Sequence, residues 1–417
     1  MKYGLIGEHL GHSFSPQIHT ALGCGDYQLI PLTKEQFHNF MLQKEFDGIN
    51  VTIPYKEAVF PYCDKITDKA RKIGAINTIK AVKTGNGTKL IGDNTDFDGF
   101  LYLLEQNHIQ LKNKTMMILG TGGTCKTVTA VAEYLQAKKI LTVSRRAKNG
   151  CLDYDSCHNE KDVQVIVNTT PTGMYPNIDD CYVNLTDYPK LEAVIDVIFN
   201  PLETKLLQQG RELEIPSVNG LEMLVAQAKF AEEIFFDKKI SDTQMIKVYQ
   251  CLKKEIKNLV LIGMPGCGKS TVGKALAETY QKKLVDVDAE IETKAGMTIP
   301  EIFSHYGESY FRTLEKQVIA KIAKEHGQVI ATGGGCIKNK QNIDRLKQNG
   351  TIIFIDRPLP DLEIGNGRPL STSLETVSKL YTERYPLYVE ACDIQVKNTD
   401  TIKKIVAEIT KEWEDII

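Results

Sequence analysis

A complete G-x-x-x-x-G-K-S pattern occupies Gly263-Met264-Pro265-Gly266-Cys267-Gly268-Lys269-Ser270, between the apolar run Leu259 to Ile262 and a helical stretch, Ser270 to Tyr280. In that setting the segment from Gly263 to Thr271, with Gly266, Cys267 and Gly268 at its centre, offers backbone amides that cradle phosphates. Lys269 neutralises the β and γ groups, and Ser270 ligates Mg²⁺. The chemistry expected is phosphoryl transfer from MgATP. A second glycine turn, Gly120-Thr121-Gly122-Gly123, lies within Lys114 to Ala137, which reads as strand, turn and helix. Here Gly120 allows the tight turn, Gly122 and Gly123 let amides approach a pyrophosphate, and the helix N-terminus adds positive potential. Cys125, where a third glycine is often found, is small enough for close packing.

The next apolar run, Ile140 to Val143, ends in Ser144-Arg145-Arg146. A site for NAD would usually carry an acidic residue there for the ribose hydroxyls. Arginine suits a 2′-phosphate, so Arg145 points to NADPH. The plain alternatives are a bare tight turn at Gly120 and a solvated basic pair at Arg145 and Arg146.

These loops need α/β scaffolds. Short apolar runs alternate with amphipathic helical stretches almost throughout, the pattern of parallel sheets covered by helices. Strands are expected at Tyr3 to Ile6, Gln28 to Leu32, Gly48 to Ile53, Thr115 to Leu119, Ile140 to Val143, Val163 to Val167 and Ala193 to Val197, then at Leu259 to Ile262, Leu284 to Val287, Gln328 to Ala331 and Thr351 to Asp356. A hairpin is expected about Thr84-Gly85-Asn86-Gly87, and a helix from Phe97 to about Asn107. Helices follow at Leu221 to Phe236 and Asp242 to about Lys257, and Thr298 to Glu301 forms a capping box.

With 417 residues the chain is long enough for two or three domains. A net charge of −2 without long single-sign blocks argues against nucleic acid as a partner. Ten scattered cysteines without a C-x-x-C pair argue against disulfides and zinc. No apolar run approaches the roughly 20 residues of a membrane span, and Met1 to Gly7 reaches a glycine too soon for a signal sequence. A cytoplasmic protein acting on small molecules is expected, with no obligate protein partner inferred.

Five motifs occur in order in the first half: Gly11-His12-Ser13-Phe14-Ser15-Pro16, Asn50-Val51-Thr52-Ile53-Pro54-Tyr55-Lys56, Gly74-Ala75-Ile76-Asn77-Thr78, Gly92-Asp93-Asn94-Thr95-Asp96 and Met223-Leu224-Val225-Ala226-Gln227-Ala228. With them, residues 1 to 255 resemble the shikimate dehydrogenase family. The resemblance implies that Ser13 and Ser15 bind a substrate carboxylate and that Thr52, Lys56, Asn77, Asp96 and Gln227 surround the ring hydroxyls. The chemistry agrees, because hydride reduction of a ketone needs a proton donor and a group to orient it, and Lys56 with Asp96 is such a pair. Ser15 before Pro16 also reads as a helix N-cap, and Asn77 or Asp96 as turn caps. Two positions depart from the family: Phe199 replaces a usual tyrosine, and Ser144-Arg145-Arg146 stands for Asn-Arg-Thr.

In the second half, Asp286-Val287-Asp288, Gly307-Glu308-Ser309-Tyr310-Phe311-Arg312, Thr332-Gly333-Gly334-Gly335, Arg368-Pro369-Leu370 and Arg384-Tyr385-Pro386-Leu387-Tyr388 give residues 258 to 417 a resemblance to shikimate kinase. By that resemblance Arg312 and Arg384 hold the substrate carboxylate, Asp288 contacts the ring hydroxyls, Gly334 lets backbone approach the ring, and Arg368 reaches in from a lid. Asp286 helps to position Mg²⁺, and Asp288 accepts the proton of the attacking hydroxyl. The plain reading makes the aspartates turn residues and the arginines surface ion pairs. The segment between Phe354 and Arg368 is shorter than the family's; the arginine usually placed there near adenine has no equivalent, and Arg357 falls too early in the chain.

The organisation implied is a two-lobed α/β dehydrogenase with a Rossmann-type NADP domain, then a P-loop kinase domain with a parallel sheet. Its boundaries are 1–105 for the substrate-binding lobe, 106–220 for the NADP-binding lobe, 221–257 for the C-terminal helices and linker, and 258–417 for the kinase. The activities implied are NADPH-dependent reduction of 3-dehydroshikimate to shikimate and ATP-dependent phosphorylation of shikimate to shikimate 3-phosphate, consecutive steps of aromatic amino acid biosynthesis. The alternative is a quinate/shikimate dehydrogenase fused to a weakly active or regulatory kinase-like domain.

Overall fold

Apolar runs with helical stretches on either side become strands buried on both faces, as parallel sheets require. The computed structural model describes residues 2–11, 13–85, 87–147, 150–363 and 373–417. The chain divides into two units, Met1–Leu252 and Lys253–Ile417.

The first unit begins with β1 (Tyr3–Gly7), α1 (Ser15–Leu22), β2 (Tyr27–Pro31), α2 (Lys34–Gln43), β3 (Gly48–Val51), β4 (Lys65–Ile66), α3 (Asp68–Ile73), β5 (Thr78–Thr84), β6 (Gly87–Asp93) and α4 (Thr95–Gln106). Its sheet order is β2-β1-β3-β5-β6-β4. Strands β1, β2 and β3 run parallel, while β5 is antiparallel to both β3 and β6. The expected hairpin is therefore the β5 to β6 connection, although Asn86 lies outside the described residues. Strand β3 stops at Val51 rather than Ile53, because the Tyr55 amide turns back to the Thr52 carbonyl at 2.9 Å.

A second sheet follows from β7 (Thr115–Leu119), α5 (Gly123–Tyr134), β8 (Lys139–Ser144), β9 (Leu152–Asp153), β10 (Val165–Asn168), β11 (Ala193–Asp196), α6 (Lys205–Glu212) and β12 (Ser217–Asn219), before α7 (Leu221–Phe236) and α8 (Asp242–Ile256). Its order, β12-β11-β10-β7-β8-β9, is parallel throughout. Helix α7 serves both lobes: Met223 packs in the core beneath this sheet, and Ala231 and Phe235 pack with Tyr3 and Tyr27 of the first. It crosses α4 closely at Gly99, where an added Cβ would stand 2.8 Å from the Met223 carbonyl.

The second unit contains β13 (Asn258–Ile262), α9 (Lys269–Tyr280), β14 (Lys283–Asp286), α10 (Val287–Ala295), α11 (Ile299–Ile322), β15 (Gln328–Ala331), α12 (Lys340–Asn349), β16 (Gly350–Asp356), α13 (Leu374–Ala391), β17 (Ile394–Lys397) and α14 (Ile402–Ile416). The sheet is parallel, ordered β14-β15-β13-β16-β17. Strands β13, β15 and β16 are buried along their whole length. The capping box at Thr298 and Glu301 opens α11, which breaks at Gly307. Lys282 donates to the carbonyls of Lys254, Glu255 and Lys257, satisfying acceptors at and just beyond the end of α8. Among the described residues no helix is long and apolar enough to cross a membrane.

Candidate active sites

In the first unit, the turn after β3 carries Lys56 and the first turn of α4 carries Asp96. Lys56 Nζ donates to Asp96 Oδ2 at 2.6 Å, with the side chains 21% and 15% exposed. Both ends of the pair are anchored. The Thr52 amide bonds to the Ile6 carbonyl and the Ile76 amide to the Lys56 carbonyl. Asn94, not Asp96, caps α4, accepting from the Phe97 amide at 3.2 Å, so Asp96 is left to face Lys56.

Asn77 is buried, and its side chain holds the same helix start. Its Oδ1 accepts from the Thr95 amide at 2.7 Å and its Nδ2 donates to Thr95 Oγ1 at 3.1 Å. Behind it, Asn50 donates to the Asn77 carbonyl and to Thr78 Oγ1, and accepts from the Tyr27 hydroxyl. Ser13 Oγ donates to Ser15 Oγ at 3.0 Å and also accepts from the Ser15 amide. Ser15 is the first residue of α1, and Phe14 holds the cap position that the sequence assigned to Ser15. His12 lies outside the described residues. The ring of Phe199 stands 6.0 Å from that of Phe14, so the residue replacing the family tyrosine packs on the serine segment. Gln227 donates to the Leu224 carbonyl on α7, and its backbone packs on Gly99, one turn beyond Asp96. Hydrogen bonds thus join Lys56 to Asp96 and Asn77 to the neighbouring Thr95, while the serines and Gln227 bond within their own segments.

The dinucleotide turn fits its expected ligand. Gly120 adopts φ +109°, and its amide bonds to the Val143 carbonyl at 2.8 Å, tying the turn to β8. A Cβ there would stand 2.8 Å from Thr169 Oγ1. Gly122 and Gly123 face open space at the start of α5, which has no side-chain cap. Amides at that helix start are thus left for an anion. Arg145 and Arg146 are exposed in the bend after β8.

Sequence reasoning missed the adjoining wall, Asn168 to Gly173. Asn168 Nδ2 bonds Asp196 Oδ1 at 3.0 Å, its Oδ1 accepts from Thr170 Oγ1 at 2.6 Å, and Thr169 Oγ1 donates to the Leu119 carbonyl at 2.7 Å. Burial pushes the Asp196 carboxyl up to about 7, opposed by hydrogen bonds from Thr204, the Ile198 amide and Asn168. The missed signal was a run of turn-forming residues, Asn168-Thr169-Thr170-Pro171-Thr172-Gly173, directly after an apolar strand.

In the second unit a cavity of about 780 Å³ joins the phosphate loop to Asp288, Arg312, Gly334 and Arg384 on one side and to Arg357 and Asn398 on another. Lys269 Nζ rests against the loop, donating to the carbonyls of Gly263 at 2.9 Å and Met264 at 3.0 Å. Ser270 Oγ donates to Asp286 Oδ2 at 3.2 Å, while Asp286 Oδ1 accepts from the Asp288 amide and caps α10. Asp286 is thus a turn residue and also presents an oxygen beside Ser270. Two such oxygens suit Mg²⁺, which keeps several waters.

Burial first, then Asp286, raises the Asp288 carboxyl above the usual range, with Lys269 and Arg312 opposing. Each glycine of Gly333-Gly334-Gly335 makes room for a different neighbour: Asp288, Pro265 and the Arg312 guanidinium. The Arg312 fork binds Glu308 at 2.9 Å and Glu315 at 3.0 Å. Glu315, which sequence reasoning missed, is fully buried, and burial raises its carboxyl against the pull of Arg312. Arg384 is only 2% exposed, which excludes the surface ion pair considered from sequence, and its Nε has no hydrogen-bond partner among the described residues. Arg357, set aside from sequence, lines the cavity after all, because β16 ends beside the phosphate loop and delivers the next residue there. Arg368 and the rest of 364–372 lie outside the described residues.

The first unit therefore defines a two-lobed α/β protein that carries a dinucleotide turn and a lysine–aspartate pair, and the second a P-loop protein with an arginine-lined pocket. A family model for the shikimate dehydrogenase substrate binding domain matches residues 5–79, and one for shikimate kinase matches 265–414. The chain is 38% identical to a shikimate dehydrogenase (NADP(+)) of Clostridium beijerinckii over 61% of this chain and 99% of that protein. It is 45% identical to a shikimate kinase of Clostridium botulinum over 37% of this chain and 97% of that protein. The crystal structure of a chorismate mutase/shikimate 5-dehydrogenase fusion protein from Clostridium acetobutylicum aligns at TM-score 0.57 and 36% identity, over 61% of this chain and 97% of that one. The chain belongs to the shikimate dehydrogenase family in its first unit and to the shikimate kinase family in its second.

Proposed function

We infer that this chain is a bifunctional shikimate-pathway enzyme, which reduces 3-dehydroshikimate to shikimate with NADPH and then phosphorylates shikimate with MgATP. The observation that carries the reading is the presence, in one chain, of the Lys56 and Asp96 pair in one unit and the Ser270, Asp286 and Asp288 cluster beside a phosphate loop in the other.

In the first unit the nicotinamide supplies the hydride. Lys56 holds a proton at Nζ for the oxygen that becomes the alcohol, and Asp96 keeps that ammonium aimed while remaining a hydrogen-bond acceptor itself. Ser13 and Ser15 provide hydroxyls for the substrate carboxylate, with Thr52, Asn77 and Gln227 around the ring. The packing of Phe199 on Phe14 supports a binding end in which the ring of Phe199 shapes the pocket without donating a hydrogen bond. Gly120, Gly122 and Gly123 hold the pyrophosphate and Arg145 the 2′-phosphate.

In the second unit MgATP supplies the phosphoryl group. Asp288 accepts the proton of the attacking hydroxyl from its place in the cavity beside the phosphate loop. Arg312 and Arg384 hold the acceptor carboxylate; the unpartnered Nε of a buried Arg384 supports that role. Lys269 exchanges the carbonyls of Gly263 and Met264 for phosphate oxygens, Gly266 to Thr271 offer amides, Ser270 and Asp286 hold Mg²⁺, and Arg368 stabilises charge in transfer. Ten unpaired cysteines support a reducing, cytoplasmic setting.

Two assays on the purified chain test the reading: NADPH oxidation with 3-dehydroshikimate, and phosphate transfer to shikimate from MgATP. Absence of either activity in folded protein refutes it.

A further inference from the structure

Asn398 follows β17 at the edge of the second unit's sheet, and its side chain is buried in the cavity wall. The strand ladder fixes its backbone: Lys397 pairs with Asp356, and the Asn398 amide donates to the Asp356 carbonyl at 2.6 Å. From this anchor the side chain reaches past β16 to the loop that ends β13. Nδ2 donates to the Cys267 carbonyl at 2.6 Å, and a Cβ on Gly268 would stand 2.7 Å from the same nitrogen. Asn398 therefore touches both residues of the Cys267 to Gly268 peptide.

In a trans peptide the carbonyl and the following N–H point in opposite directions. Holding the Cys267 carbonyl toward Asn398 turns the Gly268 amide the other way. Gly268 sits at φ +94°, a region that glycine enters freely, so its own conformation resists a flip of this peptide poorly. A flip would replace a donor by an acceptor in a loop that must meet phosphate oxygens.

We propose that Asn398 is a positioning residue for phosphoryl transfer, locking the Cys267 to Gly268 peptide so that the Gly268 N–H faces the phosphate chain of the nucleotide. The proposal rests on the reading of this unit as a nucleotide-dependent kinase. Because Asn398 acts through the loop backbone, its loss weakens any ligand that occupies the loop with phosphates, whether or not a base is attached.

The test compares wild type, Asn398→Ala and Asn398→Ser in the full chain, measuring KM for ATP, KM for shikimate and inhibition by inorganic tripolyphosphate. Trp413, the chain's single tryptophan and fully buried in this unit, reports by fluorescence that the unit is folded. Asn398→Ala should raise the ATP KM and the tripolyphosphate inhibition constant by the same factor, about tenfold for one buried hydrogen bond, with the shikimate KM nearly unchanged. Asn398→Ser keeps a donor and should recover part of the loss; if the alanine variant does not fold, the serine variant should still show a smaller, equal loss for both ligands. Weakened ATP with unchanged tripolyphosphate would place Asn398 at the nucleoside instead, and no change in either would remove it from the mechanism. A wild-type chain without ATP turnover would refute the kinase reading, and this proposal with it.

Discussion

Lys56 and Asp96 lie forty positions apart in the chain, yet Nζ of one stands 2.6 Å from Oδ2 of the other. The turn after β3 and the first turn of α4 converge because Asn77, between them in sequence, bonds the Thr95 amide at the start of that helix. The pair belongs wholly to the first unit, and Lys269 with its loop to the second.

The two chemistries are therefore separable. Lys56→Ala should remove most reductase activity and leave phosphorylation of added shikimate intact, whereas Lys269→Ala should do the reverse. Loss of both activities in either folded variant would contradict independent sites.

Cofactor choice should follow Arg145, which is exposed at the end of β8 with no acidic residue in the Ser144-Arg145-Arg146 bend. A charge-assisted hydrogen bond is worth about 1.5–3 kcal/mol, and exposure favours the lower figure. Arg145→Ala should raise the NADPH KM about tenfold with little change for NADH. Equal weakening of both cofactors would place Arg145 away from the ribose.

Much of this was legible in the sequence, for physical reasons that differ between elements. The strands Thr115–Leu119 and Gln328–Ala331 are buried on both faces and, after one polar residue each, read as unbroken apolar runs. Short edge strands such as Lys65–Ile66 and Leu152–Asp153 owe their existence to pairing with distant partners and carry no periodic pattern of their own. The same distinction holds in the sites. Lys269 and Ser270 are fixed by local loop geometry, so a motif reveals them. Glu315, Arg357 and Asn398 reach the kinase cavity from three elements, and only the sheet order β14-β15-β13-β16-β17 brings them to one place.

A buried pair in the first unit gives a pH signature. His19 Nδ1 and Glu232 Oε1 are 3.0 Å apart and both side chains are almost fully buried. Burial pushes Glu232 up to about 8 and His19 down to about 3. A carboxyl raised on folding contributes stability that is complete below its unfolded value, about 4.3, and is lost as pH rises through about 8. Between pH 6.5 and 8 folded His19 is neutral, and its titration in the unfolded chain is common to wild type and Glu232→Gln, so the difference between them reports Glu232. The unfolding free energy from urea titration, read from loss of NADPH oxidation, should fall from pH 6.5 to 8 by about 1.5 kcal/mol more in wild type than in Glu232→Gln. A difference that is flat or rises with pH would mean that Glu232 is ionised in the folded protein.

The two arginines flanking the short segment after β16 should differ in kind. Arg357 lines the cavity, and its Nε has no hydrogen-bond partner among the described residues, so Arg357→Ala should weaken ATP binding more than it slows turnover. Arg368, expected beside the transferring phosphoryl, should show the opposite, with Arg368→Ala lowering kcat far more than it raises the ATP KM. Initial rates against ATP and GTP in both variants check this; identical profiles would refute the division of roles.

The central claim is that one chain performs both steps in sequence. Its most direct test is a single reaction holding the purified chain, 3-dehydroshikimate, NADPH, ATP and Mg²⁺, followed by chromatography of the products. Wild type should oxidise NADPH at once and release shikimate 3-phosphate after a lag, Lys269→Ala should stop at shikimate, and Lys56→Ala should form neither product. NADPH oxidation by wild type with no phosphorylated product, or a phosphorylated product from Lys269→Ala, would contradict the account.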